Sequence, residues 1–242
     1  MAYTNSKLVN YTKISPNRSV NRNHKIDTVS IHCVVGQCSV ETLGSIFASA
    51  SKEASTNYGI GYDGRIGMYV EEKDRSWCTS SASNDNRAIT IEVASDTFEP
   101  YKVTDAAYKS LIKLLVDICK RNGIKKLVWS TNKSERMNHL NGCNMTVHRD
   151  CANKSCPGDY LYNLHGQIAK EVNAQLGSGT SSTTKKTLYR VRKTRSLIFL
   201  KRKTKPRTPR LKRWMNHIVK NVVAIRKIRA SLILRLKCVL SY

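Results

Sequence analysis

The sequence predicts an α/β fold: a mixed central β-sheet flanked by α-helices, followed by a highly basic C-terminal tail. Two patterns give the α/β part. Short β-branched runs with period-2 alternation take turns along the chain with longer segments whose apolar residues fall at helical spacing. A third observation sets off the tail. Residues 181–242 hold 20 Lys or Arg and no Asp or Glu, which leaves the first 180 residues with 22 basic and 17 acidic side chains. The formal charge of +25 therefore says little about what the first domain binds.

The elements follow in order. Residues 27–35, "DTVSIHCVV", form a strand pattern with Val29, Ile31, Cys33 and Val35 on one face and Thr28, Ser30 and His32 on the other. Ser39 is a candidate N-cap for a helix to about residue 51, with Val40, Leu43, Ile46 and Phe47 as its apolar stripe. "TNYGIGYDGRIGMYV" reads as a hairpin about the Asp63-Gly64 turn. "AITIEV", residues 88–93, is a strand with Ile89, Ile91 and Val93 facing one way and Thr90 and Glu92 the other. Thr104 caps a helix to about residue 122, with Leu111, Ile112, Leu115, Val116 and Cys119 inward and Gly123 closing it. "KKLVWS" is expected to be the next strand, and "MTV" a short one ending at His148. The last helix runs from residue 158 to about 176, with Leu161, Leu164, Ile168 and Val172 inward.

These elements place one domain at residues 1–176. The Gly/Ser/Thr-rich stretch 177–187 reads as a flexible linker, and 188–242 as the tail. An apolar content of 40% suffices for a core. The eight Cys do not require disulfides in a chain of this size. The N-terminus lacks the apolar run of a signal peptide, and no apolar run of about 18 residues is present. Synthesis in the cytoplasm, with free thiols, is the expectation.

Three residues are candidate metal ligands. His32 lies opposite its strand's apolar row, His148 follows a short strand, and Cys156 stands eight residues later before Pro157-Gly158. Zinc takes His nitrogen and Cys thiolate, and a catalytic site uses three such ligands. On spacing alone the signal is weak, because a His on a strand is more often structural than metal-bound. Glu92 opposes its strand's apolar row, as either a solvated face or a cleft carboxylate. Lys154 is either a surface lysine or a cation within reach of anything bound at Cys156.

Residues 27–176 resemble the zinc-dependent N-acetylmuramoyl-L-alanine amidases related to peptidoglycan recognition proteins and phage lysozyme-type amidases, most closely endolysins of phages with Gram-positive hosts. The resemblance rests on "VSIHCVVG", "STNYGIGYDGRIGMYVEE", "RSWCTSSASNDNRAITIEVAS" and "TVHRDCANKSCPGDYL", in the family's order. It implies zinc held by His32, His148 and Cys156, with Glu92 and Lys154 as catalytic residues and Tyr58 as a third near the metal. The implied reaction is hydrolysis of the amide between N-acetylmuramic acid and L-alanine of the stem peptide. The metal would polarise the carbonyl and activate water, Glu92 would move the proton, and Lys154 would stabilise the oxyanion, with Tyr58 donating to the same oxygen. Asn57 and Trp77, with the loop "CTSSASNDNR", are candidate substrate contacts; a packed aromatic and an ordinary polar loop are the other reading. The remaining Cys read as buried or spare thiols. The implied partner is bacterial peptidoglycan, reached after holin-type release or lysis. The other function classes are a non-catalytic peptidoglycan-binding protein, which typically lacks the Cys ligand, and a cationic membrane-active protein.

The resemblance stops after "LYRVRK", residues 188–193, where a cell-wall-binding module would continue with mixed charge. One reading of residues 194–242 is a degenerate or out-of-frame module. The other is a functional cationic tail, with Leu211, Trp214, Ile218, Val222 and Ile225 near one helical stripe, seeking anionic wall polymer or lipid. No specific nucleic acid is implied; its binding would be a bland consequence of charge.

Overall fold

The computed structural model describes residues 3–177. The expectations for the linker beyond residue 177 and for the basic tail fall outside the described residues. In chain order the elements are β1 (Tyr11–Thr12), β2 (Arg18–Ser19), β3 (Thr28–Val35) and α1 (Val40–Ile46). Then come β4 (Tyr58–Ile60), β5 (Ile66–Met68), β6 (Arg75–Ser76), α2 (Ala82–Arg87) and β7 (Ala88–Ser95). The rest is α3 (Asp105–Arg121), α4 (Lys133–Met137), β8 (Met145–Thr146), α5 (His148–Cys151) and α6 (Gly158–Gly177).

Six strands form one mixed sheet in the order β1-β5-β4-β7-β3-β8. Its centre is the parallel pair β3 and β7, in register from Thr28↔Ala88 to Val35↔Ser95, which sets His32 beside Glu92. β8 adds to the other side of β3 in parallel, and β4 runs parallel to β7 and antiparallel to β5. A short ribbon of β2 and β6 stands apart. The α/β architecture and the mixed sheet are as expected from the alternating patterns.

Period-2 alternation decides what each face carries. Val29, Ile31, Ile89, Ile91 and Val93 share one cluster with Leu111, Leu114, Leu115 and Ile118 of α3 and Leu161, Ile168 and Val172 of α6. The opposite face carries Ser30, His32, Thr90 and Glu92, and is closed at one side by Leu43, Phe47 and Tyr69, with Val34 packed against them. Helices α3 and α6 bury one sheet face, and the polar face keeps room for a site. Among the described residues no helix is long and apolar enough to cross a membrane.

Local chemistry explains where elements stop. Thr104 accepts a bond from Ala107 N and starts α3 as expected. Gly64, at φ +84, makes the β4–β5 turn, where a Cβ would meet Ala106 O at 2.8 Å. Several expectations fail. The helix after Ser39 ends at Ile46, because Ser49 caps Ser51 N and starts a separate 3-10 turn, Ala50–Lys52. Residues 125–130 are not a strand. Leu127 N bonds Asn173 Oδ1 and Val128 N bonds Asn144 Oδ1, so side-chain amides take donors a ladder would use. The polar loop after Trp77 contains α2, capped by Ser81. His148 opens α5 rather than closing a strand.

A buried ion cluster ties the hairpin to α3. Glu72, fully buried, accepts bonds from Arg121 Nη2 at 2.6 Å, Tyr58 OH at 2.8 Å and Asn122 Nδ2 at 3.1 Å. Removing one partner of such a pair leaves an uncompensated charge. Arg121 keeps Asp117 as a second partner. Glu72→Ala is therefore expected to cost about 3 kcal/mol, the lower end for a broken buried pair. Urea unfolding of wild type and variant at neutral pH measures it; a loss below about 1 kcal/mol, within the range of a surface pair, would contradict this account.

Candidate metal centre and active site

His32 is fully buried at the middle of β3. Its Nε2 lies 3.2 Å from Ser30 Oγ, on the same strand face. The Ser30 hydroxyl proton goes to Thr146 O at 3.2 Å. That hydroxyl can therefore only accept from His32, which assigns the proton to Nε2 and leaves Nδ1 with a free lone pair. Nδ1 faces Cys156 Sγ at 3.4 Å and Glu92 Oε1 at 3.9 Å.

His148 comes from the first position of α5, and its ring centroid is 5.1 Å from that of His32. The short helix is fixed from behind. Asp150 receives Arg136 Nε and Nη2 at 2.7 and 2.6 Å, both side chains are buried, and the guanidinium lies 4.6 Å over Trp129. A bidentate fork of this kind sets orientation as well as energy. The loop that carries Cys156 is held by Arg149, whose N donates to Cys156 O and whose Nη2 donates to Ser155 O. Gly158, at φ +74, lets the chain turn into α6 where a Cβ would strike Tyr101 at 2.6 Å.

One ligand atom each from His32, His148 and Cys156 lie within 4.8 Å of one another. Tetrahedral zinc with Zn–S of about 2.3 Å and Zn–N of about 2.05 Å separates sulfur from nitrogen by about 3.6 Å. The 3.4 Å between Cys156 Sγ and His32 Nδ1 fits that edge. Burial, then the neighbouring His148, push His32 down to about 3, so it is neutral, as a ligand must be. Burial, then Lys154, lower His148. A hydrogen bond with Cys33, then burial, raise the Cys156 thiol. Glu92 is pushed up to about 8 by burial, and its Oε2 has no hydrogen-bond partner.

Beside this cluster runs a groove of about 580 Å³, lined among others by Lys52, Arg75, Trp77, Ser80, His148 and Lys154. Trp77 is held there by its Nε1 bond to Ser19 Oγ at 3.0 Å. Lys154 is exposed on the groove. His32, His148, Cys156 and Glu92 thus converge, with Lys154 and Trp77 alongside.

Two expected site residues do not join them. Tyr58 pairs with Ile91, which points it to the core face, and it is fully buried there. Its OH donates to Glu72, and burial with that carboxylate push the phenol far up. Asn57 is also fully buried; its Nδ2 donates to backbone carbonyls of Val70, Glu71 and Asp74, and its Oδ1 accepts from Thr90. Neither has an atom free for substrate. Residues that sequence reasoning missed are Ser30, Arg136 and Asp150. Ser30 was visible as the face-mate of His32, but its partner Thr146 comes from β8.

Two imidazoles, a thiol and a half-buried carboxylate converge here, with a lysine alongside on the groove. The chain matches the family model for N-acetylmuramoyl-L-alanine amidase, Amidase_2, over residues 16–159, and it belongs to that family. It is a peptidoglycan hydrolase that cleaves the amide between N-acetylmuramic acid and L-alanine of the stem peptide. No curated protein matches it in sequence. Among solved structures, a selenomethionine derivative of AmpD shares the fold with a TM-score of 0.50 and 18% identity, over 71% of this chain and 99% of that one. PlyL aligns with a TM-score of 0.49 and 11% identity, over 68% of this chain and 96% of that one. The endolysin N-acetylmuramoyl-L-alanine amidase LysCS from Clostridium intestinale URNW aligns at 0.46 and 19%, over 70% and 93%.

Proposed function

We propose that the amidase works with one zinc ion held by His32 Nδ1, His148 and Cys156, with Glu92 as proton carrier and Lys154 as oxyanion partner. The observation that supports this most is the convergence of two nitrogens and a sulfur beside a carboxylate oxygen without a partner. Zinc supplies Lewis-acid polarisation of the scissile carbonyl and an acidified water. Glu92 takes the proton of the attacking water and delivers it to the departing L-alanine nitrogen, as the C–N bond breaks. Burial raises its proton affinity in the metal-free fold, and a dication held beside it would lower it again, leaving the carboxylate able to accept. The Lys154 ammonium, a compact charge on a flexible stem, stabilises the oxyanion. Trp77 forms the groove wall against which the muramoyl peptide lies. The motif resemblance supports an endolysin role, with residues 1–176 as the catalytic domain and wall access after holin-type release or lysis. The basic tail's charge suits anionic wall polymer or lipid.

The test is product analysis of purified peptidoglycan treated with the full chain. Expected products carry a new free amine on L-alanine and no new reducing sugar end. Chelation stops the reaction, and zinc restores it. New reducing ends, or activity indifferent to chelation, would overturn the reading.

Ser30 has a separate, measurable part. It fixes the His32 tautomer and ring plane, so Ser30→Ala is expected to weaken zinc affinity by about 10–100-fold while the fold persists. Competition with a chromophoric chelator reads this directly; an unchanged affinity would remove Ser30 from the ligand shell.

A further inference from the structure

A second donor set adjoins the first. His32, Cys78 and Glu92 bring a nitrogen, a sulfur and a carboxylate oxygen within 4.8 Å of one another. Cys78 Sγ is 4.0 Å from Glu92 Oε1, the same oxygen that lies 3.9 Å from His32 Nδ1. Cys78 is not adventitiously placed. Its backbone N is fixed by Asp85 Oδ2 at 2.9 Å, and the same carboxylate binds Thr79 N and Oγ1. Cys78 is half-buried and is one of the residues lining the groove that also reaches His148. The other carboxylate oxygen, Glu92 Oε2, is buried with no partner.

We propose that Cys78 and Glu92 form a second cation position next to the His32–His148–Cys156 set, one that takes a soft divalent ion such as zinc or cadmium and inhibits the enzyme. Thiolate, imidazole and carboxylate are all ligands zinc accepts, and the thiolate favours soft ions over magnesium or calcium. His32 faces both sets but can donate Nδ1 to one ion only. In doubly loaded protein it stays with His148 and Cys156, while Cys78, having released its thiol proton, and Glu92 hold the second ion with solvent. With only two protein ligands this position is the weaker, so it fills only when metal is in excess. An ion there occupies the carboxylate that must accept the proton of the attacking water, so turnover falls as the position fills. When the first set is broken, His32 is released to complete the second.

The inference rests on the amidase reading, and the experiment separates the two. The full chain is titrated with cadmium, whose thiolate charge-transfer absorption counts sulfur ligands, and turnover of a soluble muropeptide is followed against added zinc. Wild type is expected to show a first absorbing step at one equivalent and a weaker second step beyond it. Excess zinc is expected to lower its turnover at least tenfold. Cys78→Ser should keep the first step, lose the second, and show no fall from its own one-equivalent turnover when zinc is in excess. Cys156→Ser should keep one absorbing step, which the Cys78→Ser/Cys156→Ser double variant loses. Cys78→Ala serves as the second variant should the serine perturb folding, with its first step as the check. A second step and inhibition that persist in both Cys78 variants would overturn the proposal and point to the half-buried Cys38 or Cys151. Absence of excess-metal inhibition in wild type would also overturn it. Wild type that cleaves no muropeptide at any loading would instead sink the amidase reading.

Discussion

His148→Ala removes most amidase activity and weakens zinc binding, while the protein stays folded. The expected loss is large because a zinc ion held there would supply several kcal/mol of charge stabilisation and an acidified water. A deficit of about 5 kcal/mol corresponds to more than about 10³-fold in rate. Folding should survive, because His148 is half-buried on α5 and the helix is anchored by Asp150 and Arg136 rather than by the imidazole. Zinc analysis after dialysis, a thermal melt and a muropeptide assay give three separate readouts. Near-normal turnover with tightly held zinc would show that the catalytic ion sits elsewhere.

Glu92→Gln is expected to lose about 10²–10⁴-fold in turnover, the usual range for removing a general base, yet to keep its zinc. Glutamine preserves the shape and cannot accept the proton. The substitution should also favour the apoprotein's stability as pH rises. Glu92 is raised in the fold, so it binds a proton between its unfolded value and about 8. Over that window wild-type stability falls with pH, and the glutamine variant lacks that slope. Lys154→Ala is the companion case, with about 10²–10³-fold expected from loss of an oxyanion donor. A Glu92→Gln enzyme within tenfold of wild type would mean that another group carries the proton.

How far the site could be read from the chain depended on the length of the local pattern. Eight residues of alternation in β3 and in β7 suffice to put His32 and Glu92 opposite their apolar rows. The register that makes them neighbours is a tertiary fact. The three-residue β4 offers too short a period, so Tyr58 was open to assignment on either face. Its burial follows from pairing with Ile91 and from Glu72, a carboxylate fourteen residues on whose other partners are Arg121 and Asn122. Residues 125–130 had strand composition, but Asn144 and Asn173 supply the hydrogen bonds from side chains far along the chain. The Cys78–Glu92 approach had no sequence signal, since it joins a loop to a strand fourteen positions later.

The candidate ligands differ in how they are mounted. His32 belongs to a strand paired on both sides in the sheet centre, whereas His148 and Cys156 ride on a four-residue helix and the loop after it. Segments of the second kind open locally well before the whole domain unfolds. Metal exchange should therefore follow the opening rate of residues 148–156, read as fast amide hydrogen exchange there against slow exchange across β3 and β7. The Arg136–Asp150 fork then acts as a latch on residence time: loosening it should speed release of the ion more than its capture.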